Sequence, residues 1–385
     1  MRPSHVVVAA DATAVSVAIV YVPQTIFPEF ASDLEISEVA ARDAFTASAL
    51  SYALAFFAFG PLSDVYSARA LASSGAVATA LAGGLTALTT SFPMFVVAAA
   101  ATGVCAASVP SAMLALAARA GNGRTGRSFG VILAATVAGI TLGRGVGALL
   151  AGSVGWRWTY VVLASAILVA GLSSLALPRT TSRSQSVVRA YAAALTMIAR
   201  PDVLRFLGVG GSLFFGYLGL TTVLTLRLSD PPLSLGPSAI GAINLSGLIA
   251  LAGAPLAGAL VPRLGAKKVS LLGLCLCLAG TVAVRLATDA VGATLGLLIL
   301  YLGVFAAQPG LMVRLTQLVG VDQKGSASAS YFLVCLLAGS FLGWLWQDHG
   351  WALVVVASAA AVVLTLVLAS TTSDTRALRA RGATR

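Results

Sequence analysis

Long apolar runs separated by short polar turns dominate the chain from one end to the other. A helix that crosses a membrane needs about 20 largely apolar residues. Twelve runs reach that length, near 5–27, 43–62, 70–90, 93–118, 128–151, 158–177, 203–227, 236–260, 268–287, 290–314, 326–346 and 351–370. The pattern predicts an all-α membrane protein with twelve transmembrane helices in two six-helix bundles. Most connections are short. Three are longer: an acidic stretch around 29–43, a basic stretch rich in Ser and Thr at 178–202, and a basic tail after Thr371. The boundaries that follow are an N-terminal bundle at 1–177, a cytoplasmic linker at 178–202, a C-terminal bundle at 203–370 and a basic cytoplasmic tail at 371–385. Within the linker, 187–200 has helix-favouring composition with basic edges, which suits a helix lying on the inner leaflet. It reads equally as a clamp between the halves and as an ordinary connection.

Composition agrees with the pattern. Hydrophobic residues make up 58% of the chain and charged residues 10%, against about 25% charged in a soluble domain. The net charge of +11 does not point to nucleic acid, because no basic stripe is interleaved with aromatics. It reflects orientation. With the N-terminus inside, 19 of the 24 Lys and Arg fall on the inner side, only Arg42, Arg157, Arg227 and Arg285 fall outside, and Arg144 lies within a span. Basic loops face the cytoplasm, so both termini are expected there, in a multi-pass cell-membrane protein. No cleavable signal peptide is evident. The cysteines all fall in apolar runs. Cys275 and Cys277 point to different helix faces, so neither a metal site nor a disulfide is expected. There is no phosphate-binding Walker loop and no metal-ligand cluster. Neither a cofactor nor catalytic residues are expected, and an enzyme is disfavoured.

An internal repeat organises the sequence. The stretch Gly60-Pro-Leu-Ser-Asp-Val-Tyr-Ser-Ala-Arg69 follows the second span, and Gly258-Ala-Leu-Val-Pro-Arg-Leu-Gly-Ala-Lys-Lys268 follows the eighth. Their glycines are 198 residues apart. At a similar offset Gly126 and Gly325 open the fifth and eleventh spans, and Gly155-Trp156 and Gly350-Trp351 follow them. Gly139, Gly143 and Gly147 recur in the fifth span, and Gly339 and Gly343 in the eleventh. Glycine at i, i+4 lets a neighbouring helix approach closely. Two related halves joined by a polar loop form the layout of a rocking transporter, so the two bundles are expected to be pseudo-symmetric.

These residues resemble the major facilitator superfamily over nearly the whole chain. Gly60, Leu62, Asp64 and Arg69 resemble its loop signature G-x-L-x-D-R-x-G-R-[KR], and 139–152 is similar to the glycine-rich fifth-span motif of the drug:proton antiporters. Tyr21-x-x-Gln24 before Pro28, Trp156-Arg157 and Gly325-Ser-Ala-Ser-Ala-Ser-Tyr331 resemble the YnfM-type efflux permeases. There are departures. Val65, Ser67 and Ala68 stand where the signature has Arg, Gly and Arg. The second copy keeps Arg263 and Gly265 but has Pro262 in place of the acid. The fourth-span arginine linked to proton coupling in the antiporters is missing, its place falling near Ala99.

The resemblance and the chemistry together nominate residues. Asp11, roughly 9 Å into the first span at 1.5 Å per residue, is the proton-coupling candidate, since desolvation raises a carboxyl pKa. Its bland alternative is an interfacial carboxylate solvated by water or His5. Arg144, roughly 24 Å into the fifth span, is a cavity or gate residue, with Asp43 as the expected partner; the alternative is snorkelling to outer headgroups. The resemblance implies a gate at Gly60, Asp64 and Arg69, with Arg263 in the second copy. Tyr21, Gln24, Tyr52, Tyr217, Asn244, Gln308 and Tyr331, with Arg144, are candidates for lining a substrate cavity. Pro23, Pro110 and Pro309 are expected to bend their spans. A mostly apolar cavity suits an amphiphilic solute. The expected function is proton-coupled efflux of such a compound by a monomer, with small-molecule substrate, proton and bilayer as partners. The alternatives are an uptake permease and a non-transporting sensor of the same fold.

Overall fold

The computed structural model describes residues 3–121, 123–178, 186–229, 234–235, 237–339 and 342–371. Among them the secondary structure is helical throughout. Contacts divide the chain into two compact units. The first comprises Met1–Arg119, Ile132–Ala194 and Asp322–Ala329; the second comprises Ala120–Val131, Leu195–Val321 and Ser330–Arg385. These differ from an even division of the sequence by two short segments, 120–131 and 322–329, each grouped with the other half of the chain.

The first unit holds α1 (Pro3–Tyr21), α2 (Phe27–Asp33), α3 (Glu38–Val65), α4 (Ala68–Ala87), α5 (Phe92–Ala106), α6 (Ser108–Ala118), most of α7 (Thr125–Val154), α8 (Trp156–Ser173) and the start of α9 (Val187–Ile198). The second holds α10 (Pro201–Ser229), α11 (Pro237–Asn244), α12 (Ala250–Leu264), α13 (Ala266–Leu286), α14 (Ala290–Leu318), most of α15 (Lys324–Gly339) and α16 (Leu342–Thr371). Eleven segments among the described residues are long and apolar enough to span a membrane. Within the expected eleventh run, 326–346, α15 ends at Gly339 and α16 begins at Leu342, and residues 340–341 lie outside the described set.

Sequence accounts for several helix ends. Ser37 and Ser67 accept from the amides of Ala40 and Ala70, each at 3.2 Å, and so cap α3 and α4. Asp289 caps α14 through Gly292 N–H at 2.7 Å. These side chains satisfy donors that every helix leaves open in its first turn. The fourth span is broken, as Pro110 predicts, into α5 and α6 at Ala107. Proline has no amide for the carbonyl four residues earlier, here Ala106. That carbonyl instead accepts from Ser16 Oγ of α1 at 2.8 Å. The polar Ser16, buried in an apolar helix, thereby ties α1 to the break.

In the first unit α3 packs on α5 and α4 on α8; in the second, α13 packs on α14 and α10 on α16. An aromatic cluster of Phe30, Phe95, Trp156 and Tyr160 seats the short α2 on α5 and α8, with Phe30 stacked on Phe95 at 4.6 Å between centroids. Asp33 at the end of α2 closes the cluster. It accepts from Trp156 Nε1 at 3.2 Å and is ion-paired to Arg157, which also donates to Thr89 O at 2.9 Å. The acidic stretch after the first span is therefore fastened at Asp33.

Candidate functional site

The polar stretch after the second span forms a compact latch in the first unit. Asp64 lies in the last turn of α3, and its side chain is 1% exposed. Its carboxylate accepts from Gly325 N–H and Ser326 N–H, both at 2.8 Å, and from Ser326 Oγ at 2.7 Å. It therefore caps the N-terminus of α15, where unsatisfied amides and the helix dipole favour an anion. Arg119, just past α6, donates to Asp64 Oδ1 at 2.6 Å and to Ser63 O at 2.9 Å. Lys324 Nζ reaches the carbonyl of Ala118 at 3.0 Å, placing a cation at the C-terminus of α6. Burial and the neighbouring Arg119 guanidinium hold the Lys324 ammonium below the usual lysine range.

Glycine makes this geometry possible. A Cβ on Gly325 would lie 2.8 Å from Asp64 Oδ1, and one on Gly60 would lie 2.9 Å from the Ala329 methyl. Either would push α15 off the end of α3. The second copy of the motif makes the corresponding contact in the second unit without charge. Gly258 of α12 lies against the backbone of Gly126 at the start of α7, and a Cβ on Gly126 would be 2.8 Å from Gly258 O. Pro262, in the acid's place, contributes no carboxylate, and Arg263 is exposed. Each motif glycine thus meets the glycine that opens the fifth span of the other repeat.

Arg69, five residues after Asp64, belongs to α4 and is half-buried. The cation on Asp64 is Arg119 instead, together with the α15 amides. Sequence reading passed over Arg119, Lys324 and Ser326. The one signal for Arg119 was a charge placed directly at the end of the fourth apolar run; Ser326 lay inside the Gly325–Tyr331 motif without an assigned role.

A second group of candidates converges on Arg144. Gly139 and Gly143 of α7 lie on the backbone of α1 at Ala14 and Ala18, which brings the next residue, Arg144, to the end of α1. Its Nε donates to Gln24 Oε1 at 2.6 Å. Its guanidinium stands 5.7 Å from the Tyr21 ring centroid, within cation–π range. Tyr21 packs on Phe45 at 6.0 Å, and Tyr52 on Phe56 at 5.2 Å. The side chain of Asp43, the expected partner of Arg144, lies outside the described residues.

The remaining candidates are dispersed. In the second unit Tyr217 packs edge-on against Phe214, Tyr301 and Phe305 at 5.6–5.9 Å. Gln308 of α14 and Tyr331 of α15 are fully buried. The Tyr331 hydroxyl faces Gln308 and Cys335, yet neither Gln308 nor Tyr331 completes a hydrogen bond of regular geometry among the described residues. Arg314 is buried on α14 with its guanidinium 5.1 Å from the Phe206 ring; it was not singled out from sequence. The Asn244 side chain lies outside the described residues. Asp11 is exposed on the face of α1 that also carries Val7, with no ion pair among the described residues. Ala99, at the place of the antiporters' fourth-span arginine, is buried on α5. The described residues contain no cluster of three or more potential metal ligands.

Comparison with known proteins bears on what such an arrangement does. The family model described as Major Facilitator Superfamily matches residues 9–344. The chain belongs to the Major Facilitator Superfamily. It is a multi-pass membrane transporter and not an enzyme. Among superfamily relatives, the protein named "Uncharacterized transporter YgaY" of Escherichia coli O157:H7 is 27% identical, with 96% of this chain and 95% of that protein covered. Its counterpart in E. coli strain K12 matches to the same extent. Solved superfamily structures share the fold. The transporter FucP in the outward conformation superposes with TM-score 0.77 at 13% identity, covering 96% of this chain and 99% of that one. The human organic anion transporter MFSD10 (TETRAN) gives 0.74 at 16%, covering 96% and 100%. The proton:xylose symporter XylE gives 0.74 at 17%, covering 97% and 96%.

Proposed function

We propose that this transporter exports a small amphiphilic compound by alternating access, as a monomer in the cell membrane with both termini cytoplasmic, and that export is coupled to protons. The observation that carries the reading is the Asp64 latch, where a buried carboxylate holds the start of α15. Asp64, with Arg119, Gly325 and Ser326, forms the cytoplasmic gate in this reading. The Gly126–Gly258 contact is its uncharged counterpart. The asymmetry of Lys and Arg supports the orientation. The apolar surroundings of the cavity candidates support an amphiphile over a sugar. The resemblance to drug:proton antiporters and YnfM-type permeases supports efflux.

Asp11, an acid within an apolar span, is the proton-coupling candidate in this scheme. The test is flux of fluorescent amphiphiles into inverted membrane vesicles, with and without an imposed pH gradient. Accumulation that rises with the gradient is expected, as is loss of that dependence in Asp11→Asn. An Asp11→Asn variant with wild-type rate and pH dependence would remove Asp11 from the mechanism. Uptake of a small metabolite, the second reading, predicts flux of a sugar or amino acid in the opposite direction and none of an amphiphile.

A further inference from the structure

We propose that Arg144, set by Gln24 and Tyr21, is the headgroup-recognising end of the substrate site, and that the transported solute is an organic anion with an apolar body. This rests on the transport reading and gives it a substrate class. The argument starts from donors. A guanidinium has five N–H donors, and Arg144 commits Nε to Gln24 Oε1 at 2.6 Å. Its two terminal nitrogens make no hydrogen bond or ion pair with any described residue. The side chain is exposed, so the terminal fork is open to a ligand. A planar fork of this kind matches the two oxygens of a carboxylate, sulfonate or phosphate.

The placement is built. Gly139 and Gly143 seat α7 on the α1 backbone at Ala14 and Ala18, which fixes the base of the side chain. Gln24 and the Tyr21 ring fix its head. The wall beside it is aromatic, with Tyr21 on Phe45. An apolar body lies against such rings while its charged end meets the fork. Charge sign favours this class: the described side chains that contact Arg144 and Tyr21 are an amide and aromatic rings, with no carboxylate among them. The same oxyanion chemistry is offered by a lipid phosphate, so the test separates the two sources.

The experiment compares two dyes with one ring system, fluorescein as its dianion and a cationic rhodamine, on the full-length protein in proteoliposomes. Fluorescein binding is measured in parallel by anisotropy on phospholipid-free detergent-purified protein. Wild type is expected to carry and bind fluorescein and not the rhodamine. Removing a charge-assisted hydrogen bond should cost about tenfold or more, so Arg144→Gln is expected to lose both flux and binding by that factor. Arg144→Lys, which keeps the charge and loses the fork, is expected to fall between the two and covers the case in which Arg144→Gln does not fold. Absence of carrier-dependent fluorescein flux overturns the proposal; rhodamine flux alone would do so while leaving the transport reading standing. Equal fluorescein flux in wild type and Arg144→Gln also overturns it. Flux lost with binding retained assigns the fork to a lipid phosphate and overturns it as well.

Discussion

Asp64 joins three parts of the chain: the end of α3, the start of α15 and the residue after α6. It accepts four hydrogen bonds, one from a guanidinium. A hydrogen bond to a charged group contributes about 1.5–3 kcal/mol. Asp64→Asn keeps the shape, removes the charge and places an amide where only acceptors fit. It is expected to shift the open-to-closed ratio of this gate by about tenfold to a hundredfold, read as faster modification of a cysteine placed at Ser63. An unchanged modification rate would show that the carboxylate does not hold the gate. On the uncharged side, Gly258→Val should disrupt the second gate by steric force alone, because the nearest atoms are the Gly126 backbone; transport should fall while Arg263→Ala transports normally. Asp64 was legible in sequence because its motif is short and local. Arg119 was not, since a contact across 55 residues follows from no spacing rule. Arg69 misled because nearness in sequence crosses a helix start: Ser67 caps α4 and turns the chain away.

At the scale of elements, proline positions were legible and their repairs were not. Pro110 forecasts the break between α5 and α6, but that Ser16 of another helix supplies the lost bond depends on packing. Ser16→Ala leaves a buried carbonyl unsatisfied, a cost of about 1–3 kcal/mol, and should lower the melting temperature; an unchanged value would mean that Ala106 O finds another donor. The linker helix α9 shows the same limit. Its helix-favouring composition with basic edges was legible, and the structure buries Ala190, Ala194 and Met197 while leaving Val188 78% and Leu195 57% exposed. Its anchors were not legible. Tyr191 donates to Ala58 O of α3 at 2.6 Å, one residue past the carbonyl that Pro61 leaves without an amide. Gln323 Nε2 donates to Ala193 O at 3.2 Å, directly before α15. The middle of α9 is thus tied both to α3 and to the segment that Asp64 caps. Tyr191→Phe is expected to speed amide exchange in α9 by about fivefold, for a bond of about 1 kcal/mol, and to speed opening at Asp64. Faster exchange in α9 without any change at Asp64 would identify α9 as an ordinary connection.

At the scale of the whole molecule, the hydrophobic pattern carried almost everything about class. Twelve runs, a basic linker and an offset repeat predict a two-bundle membrane transporter, because lipid forces each span to satisfy its own backbone; the superfamily is legible only through the resemblance carried by Gly60, Leu62, Asp64 and Arg69. What the pattern could not carry was the grouping of 120–131 and 322–329 with the opposite halves of the chain. These segments hold Gly126, which meets Gly258, and Gly325, which donates to Asp64, and short polar-flanked helix starts carry no hydropathy signal of their partners. A transporter of this kind must populate two states of nearly equal free energy. The most direct measurement is the distance between spin labels at Tyr66 and Val321, both exposed, in protein with its native cysteines replaced. Two distance populations are expected in wild type, with Asp64→Asn shifting weight to the longer one. A single distance, the same in wild type and Asp64→Asn, would contradict this expectation.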